Sequence, residues 1–197
     1  MAGIGLRHMV AAKISAHTDG AAPTYAAGKV IGKAIEANLT INRANNPLYA
    51  DDAIAEDDNG ITGIQVEFGV DELDEETEAY LGLTAKVTTG SGSSEVTVYR
   101  EKSAPAFDVG CGYVRVRMKG GVIKYQAVWI YSVKFSLNNE TARTKGETIE
   151  WQTPTVSGNA KGLLVDASED LTFRDKRIFS DYDDAVSWVN GLAGISS

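Results

Sequence analysis

Between Tyr113 and Phe135 the side chains change character with a period of two. Val114, Val116 and Met118 alternate with Arg115 and Arg117. After Lys119-Gly120-Gly121, one parity carries Ile123, Tyr125, Ala127, Trp129, Tyr131, Val133 and Phe135. The other carries Lys124, Gln126, Ser132 and Lys134, with Val128 and Ile130 as exceptions. A helix would scatter these residues around its circumference, whereas a strand sends alternate side chains to opposite faces. The aromatic and β-branched content suits a pleated, half-buried surface. Two successive glycines supply the positive φ angles of a two-residue hairpin turn. The chain therefore has to hold a long antiparallel hairpin, and the fold has to supply a layer that covers its apolar face.

The same period recurs earlier. From Lys29 to Asn42, Ile31, Ile35, Leu39 and Ile41 oppose Glu36, Asn38, Thr40 and Asn42. From Thr62 to Val70, Ile64, Val66, Phe68 and Val70 oppose Gln65 and Glu67. Between these two strands lies Arg43 to Gly60, rich in Asn, Asp and Ala and far longer than a hairpin turn needs. Loops of that length in compact domains are usually functional or disordered. Further strands are expected over Leu6–Ser15, Glu95–Arg100, Thr148–Val156 and Leu163–Phe173, with a flexible tip at Gly90–Ser94. Leu73, Thr77, Tyr80 and Leu81 have helical spacing behind an acidic first turn, and Gly82 stops the run. A second helix is expected near the C-terminus, capped by Ser180, with Tyr182, Ala185, Val186, Trp188 and Val189 as its apolar stripe. With no internal repeat and no clear linker, residues 1–197 read as one mainly β, α+β domain built on antiparallel sheet.

Reaction chemistry finds little support in the residues, and an enzyme is not expected. Gly28 to Lys33 is one residue short of a phosphate-binding loop, and Ala34 replaces the hydroxyl that would hold magnesium. Gly90-Ser91-Gly92 and Gly110-Cys111-Gly112 lack the third glycine of a dinucleotide turn. When Asp57-Asp58-Asn59-Gly60 is aligned as a calcium loop, Ala55 falls at the first ligand and Val66 at the last, so the cage does not close. His8, His17 and Cys111 are too few for a zinc site. A Ser–His–Asp triad converges only in space, and nothing in the sequence raises it above background. No catalytic residue, metal or cofactor is therefore expected. The lone Cys111 suits folding in a reducing cytoplasm and reads as a small packing residue. Neither a signal peptide nor a run of ~20 apolar residues is apparent. A formal net charge of −8 argues against tight binding to nucleic acid phosphates, though not against a surface that nucleic acid slides past.

Three stretches narrow the reading: Pro47-Leu48-Tyr49-Ala50-Asp51-Asp52, the aromatic strand Trp129 to Phe135, and Thr144 to Thr155, TKGETIEWQTPT. With the opening Gly5-Leu6-Arg7 and Lys29 to Glu36, their order resembles that of the major tail tube protein of siphophages infecting Gram-positive bacteria. The resemblance spans about residues 5 to 160. It implies an antiparallel β-sandwich or barrel with a flanking helix and a long loop between two inner strands. It implies that six copies form a ring, that their inner sheets join around a lumen, and that rings stack into the channel for DNA during genome ejection. Residues 43–60 would be the inter-ring loop, with Pro47, Leu48, Tyr49, Ala50, Asp51 and Asp52 at the contact, and 161–197 a C-terminal extension with a helix. The lumen would be lined by Glu36, Asn38, Thr40, Asn42, Gln65 and Glu67. The implied partners are further copies of the chain and other tail proteins, namely tape measure, initiator and terminator. DNA would pass without specific binding, no membrane would be involved, and the protein would be made in the host cytoplasm and end in the virion tail. Arg115, Arg117, Lys124 and Lys134 fit an acidic channel poorly, and are expected to pair with carboxylates or lie away from it. A different class of function, an extracellular or virion β-sandwich binding module such as an adhesin or receptor-binding domain, is the alternative.

Overall fold

The computed structural model describes residues 2–50, 53–101, 107–136 and 153–195, with the backbone alone described at 46–50, 53–58 and 93. The strands are β1 (Ala2–Ala16), β2 (Thr24–Gly32), β3 (Ala34–Arg43), β4 (Asn46–Ala50), β5 (Ala53–Asp58), β6 (Ile61–Val70), β7 (Thr84–Thr89), β8 (Val96–Glu101), β9 (Val109–Lys119), β10 (Val122–Ser136), β11 (Thr155–Ala160) and β12 (Arg174–Phe179). Helix α1 (Glu75–Leu81) follows β6, and α2 (Tyr182–Ala193) follows β12. The chain is thus mainly β, 60% strand and 13% helix, with antiparallel sheets and two helices.

The β9–β10 hairpin is the centre of the molecule. Its turn is Gly120-Gly121, at φ 59° and 78°, and Lys119 pairs with Val122 across it. The main sheet runs β2-β1-β9-β10-β11-β6-β3. One edge of β10 is long enough for two partners in succession: β12 pairs with Tyr125 to Ile130 and β11 with Val133 to Ser136. A bulge in β10 between Ile130 and Val133 marks the change. Strands β1 and β3 stand far apart in this order yet touch, so the sheet curls around an interior.

That interior holds Met9, Ile64, Val66, Phe68, Tyr113, Val128, Ile130 and Phe135, all buried. Phe68 meets Tyr113 edge-on at 5.8 Å between ring centroids, a favoured aromatic geometry. The outer face of the same sheet is covered by α2, whose Ala185, Val189 and Ala193 bury against Val10, Val114, Ala127 and Trp129. Each such large apolar side chain contributes about 1.5–3 kcal/mol on burial. Trp129 fits because β9 carries no side chain opposite it. A Cβ at Gly112 would stand 2.6 Å from both Trp129 and Val189, and one at Gly110 would stand 2.3 Å from Tyr25.

Several expectations change in detail. Lys29–Asn42 is not one strand: the chain breaks at Lys33, whose N–H is held by Asp71 Oδ1 at 2.7 Å, and β2 and β3 lie in different parts of the sheet. Ile35 is 50% exposed because a register shift between Ala34 and Glu36 turns it out of the core. In β10, Val128 and Ile130 are no exceptions. The strand is buried on both faces, by the interior on one side and α2 on the other, and the bulge brings Val133 and Phe135 to the interior too. Residues 43–60 are not an irregular loop, since β4 and β5 pair in it as a hairpin. Strand β7 was not expected; it pairs with β8 along its whole length, and Gly92–Ser94 at their junction is a 3-10 turn. Leu163–Phe173 yields only a Leu163–Thr172 bridge, and the strand lies later, in β12. Thr148 to Gln152 fall outside the described residues, and β11 starts at Thr155. Helix α2 is capped by Asp181, not Ser180, through its carboxylate and the N–H of Asp183.

Candidate functional site

Where α2 ends its cover, the outer face of the sheet is polar. Strand β3 pairs with β6, β6 with β11, and β11 with the end of β10. Two rows cross all four strands. One is Asn38, Glu67, Ser157 and Ser136; the other is Thr40, Gln65, Asn159 and Lys134. Glu36 and Asn42 extend the face along β3, and Asn38 Nδ2 donates to Glu36 Oε1 at 2.9 Å. Most of these side chains are exposed, and Glu67 and Ser157 are half-buried. The opposite parity, Leu39, Val66, Phe68, Val156 and Ala160, packs against or within the interior. The period of two that hides one set of side chains thus displays the other.

All six residues singled out for a channel lining, Glu36, Asn38, Thr40, Asn42, Gln65 and Glu67, share this one face. Sequence reasoning missed Ser136, Ser157 and Asn159. The available signal was the alternation of Val156, Gly158 and Ala160 with Ser157 and Asn159, hidden because the strand was placed too early. Lys134 was expected to pair with a carboxylate or lie away from the channel, but the bulge in β10 puts it on this face, opposite Asn159. Arg115, Arg117 and Lys124 belong elsewhere, on the interior-side face at the far end of β9 and β10.

The backbone of Pro47, Leu48, Tyr49 and Ala50 forms β4, paired with β5. Asp51 and Asp52 lie outside the described residues. Neither β4 nor β5 packs extensively on any other described element, so the hairpin stands out from the body as an arm. The β7–β8 hairpin also projects, resting chiefly on α1.

The residues considered for chemistry have structural partners. His8 Nε2 lies 2.7 Å from Asn190 Oδ1. Cys111 is fully buried, and burial pushes its thiol well above the ordinary range, which keeps it protonated and inert. Gly28 to Gly32 are extended within β2, with no loop to cradle a phosphate. A shallow pocket of about 260 Å³ gathers His17, Asp108, Ser132 and Lys161. Within it Asp108 is engaged by Lys161, His17 Nε2 faces the Leu164 carbonyl at 3.4 Å, and the Ser132 hydroxyl has no partner. Among the described residues no hydrogen bond links a serine, a histidine and an aspartate here into a relay. Among the described residues no cluster of three or more His, Cys, Asp or Glu is placed to hold a metal. No helix in the described residues is long and apolar enough to cross a membrane. Compared with known proteins, the chain matches no family model and no curated sequence.

Proposed function

We propose that this chain is a self-assembling structural subunit of a bacteriophage tail tube, stacking in hexameric rings around a channel for DNA. The observation that carries this reading is the four-strand polar face. It is broad and mostly uncharged, made of Asn, Thr, Gln and Ser with Glu36, Glu67 and Lys134. Such a face attracts a polyanion weakly at most, which suits a surface that nucleic acid slides along. Beside it the sheet ends in strands that need covering. Ile35 (50% exposed) and Ile41 (37%) project from β3, the last strand of the path, and Val30 (47%) from β2, the first. Terminal strands with exposed apolar side chains invite pairing with another chain, and pairing between copies of this chain would satisfy them.

The alternative, a binding module of an adhesin or receptor-binding type, predicts a discrete species. Sedimentation velocity across a wide concentration range separates the two. A tube subunit shifts to larger species as concentration rises, without nucleic acid or cofactor. A single sedimentation coefficient at every concentration removes the self-assembly reading.

A further inference from the structure

The interior-side face of the sheet does not end with the core. Beyond Tyr113 and Val128 it continues as Arg115 and Arg117 on β9, Lys124 on β10, and Arg174 and Lys176 on β12. The registers bring them together: Arg117 stands opposite Lys124, Arg115 opposite Gln126, and Gln126 opposite Ile178, next in parity to Lys176. Arg117 donates to Gln126 Oε1 at 3.1 Å, and Lys124 Nζ to the Ser180 hydroxyl at 2.7 Å. Among the described residues no carboxylate is within ion-pair distance of Arg115, Lys124, Arg174 or Lys176. Burial first, then the guanidiniums of Arg174, Arg115 and Arg117, hold the Lys176 ammonium below the usual lysine range. Cations crowded together in a chain of net charge −8 call for an anionic partner.

The chain itself carries a partner of that chemistry. The two strands of the β4–β5 arm, Asn46–Ala50 and Ala53–Asp58, carry Glu56, Asp57 and Asp58 and neither Lys nor Arg. The arm leaves the body at the end of the sheet where the cations lie. Strands β6 and β10 are both antiparallel to β11 and therefore run the same way. The start of β6, where the arm returns, thus faces the same end as the start of β10, where Lys124 stands. Rotation about a ring axis carries features at one height onto the neighbouring copy at that height, whereas stacking joins opposite ends.

We propose that the cationic face formed by Arg115, Arg117, Lys124, Arg174 and Lys176 seats the acidic β4–β5 arm of the adjacent copy in the same ring. This rests on the self-assembly reading above, and redirects the arm from the next ring to the side-by-side neighbour.

Disulfide trapping tests it, because the only native cysteine, Cys111, is buried. Full-length Asp57→Cys and Lys176→Cys chains, tagged to differ in mass, are mixed at high concentration and oxidised. The mixed dimer should exceed either homodimer by about tenfold, and fall to the collision level at about 1 M salt, where exposed charges are screened. A mixture of Asp57→Cys with Lys134→Cys, whose lysine is on the other face, gives the collision level. If sedimentation shows assembly but the mixed dimer stays at that level, the seat is wrong and the tube reading survives. If neither assembly nor trapping occurs, both fail. A chain carrying both Asp57→Cys and Lys176→Cys is oxidised in parallel; if it forms only an internal disulfide, the arm closes on its own chain and the neighbour seat is overturned.

Discussion

Gly112 is the residue on which the outer layer turns. It lies under Trp129 and Val189, where a Cβ would stand 2.6 Å from each, so Gly112→Ala forces the strand and α2 apart. Overpacking of this kind costs about 1–3 kcal/mol, and the variant's thermal melting midpoint should fall accordingly. Gly121→Ala loses a glycine at φ 78°, but its Cβ meets nothing within 4 Å, so near-ultraviolet circular dichroism should show disturbed tryptophan packing in the first variant and not in the second. The sequence offers Gly110-Cys111-Gly112 only as a motif that fails to be a nucleotide turn. Its real role depends on Trp129 across the β9–β10 ladder and on Val189, far away in the chain, and no local pattern reports that pair.

Elements were legible where one face is dry and the other wet. The Gly120-Gly121 hairpin and the Thr62–Val70 strand follow directly from alternation and turn chemistry. Strand β12 was not legible, because Arg174, Lys176 and Ile178 alternate with Asp175, Arg177 and Phe179 and neither parity is apolar. It is held by its ladder with β10 and by the 2.6 Å hydrogen bond from the Tyr131 hydroxyl to Asp175. Helix α1 was legible from its spacing, its acidic first turn and the Gly82 stop, while its N-cap Asp74 was not singled out. Asp74 accepts from the Thr77 N–H at 2.7 Å, and the Thr77 hydroxyl and N–H hold its carboxyl below the usual range. A folded-state pKa below the unfolded one adds stability above the ordinary carboxylate pKa, and this is lost as pH falls through the folded value. Asp74→Ala should cost about 1 kcal/mol at neutral pH, while Asp74→Asn keeps the cap and flattens the acid limb of the stability curve. Chemical denaturation from neutral to acid pH reads both. The arm was legible only as an oversized insertion, since its strands lack an apolar parity. Burial of Leu48 and Tyr49 in an interface would be worth about 1.5–3 kcal/mol each. Replacing both with Ser should therefore weaken assembly and leave monomer melting unchanged; normal assembly would take their side chains out of the contact.

At the scale of the whole molecule, the sheet has an apolar interior, a helix-covered part of the outer face and an open polar part beside it. The parity of the polar residues on β3 and β6 was legible, but not that of Lys134, which the bulge in β10 turns to the other face from Lys124, nor which strands would stand together, because β6 finds its partner β11 far along the chain. Lys134 on that face tempers its acidity, so the channel reading relies on weak attraction and not on a wall of carboxylates. Reversing Glu36 and Glu67 to Lys should then hold DNA. Opposite charges attract by about 1 kcal/mol at 4 Å in water, repeated along a tube. The expected result is normal assembly with slowed genome ejection, relieved by salt; failure to form rings would mean that this face is an interface. On the function proposed above, the chain builds rings by itself. Negative-stain electron microscopy of the purified protein at high concentration tests it most directly. Six-fold annuli with an open centre, some stacked into hollow tubes, are the predicted result. A field of small discrete particles with no annuli at any salt concentration would contradict it.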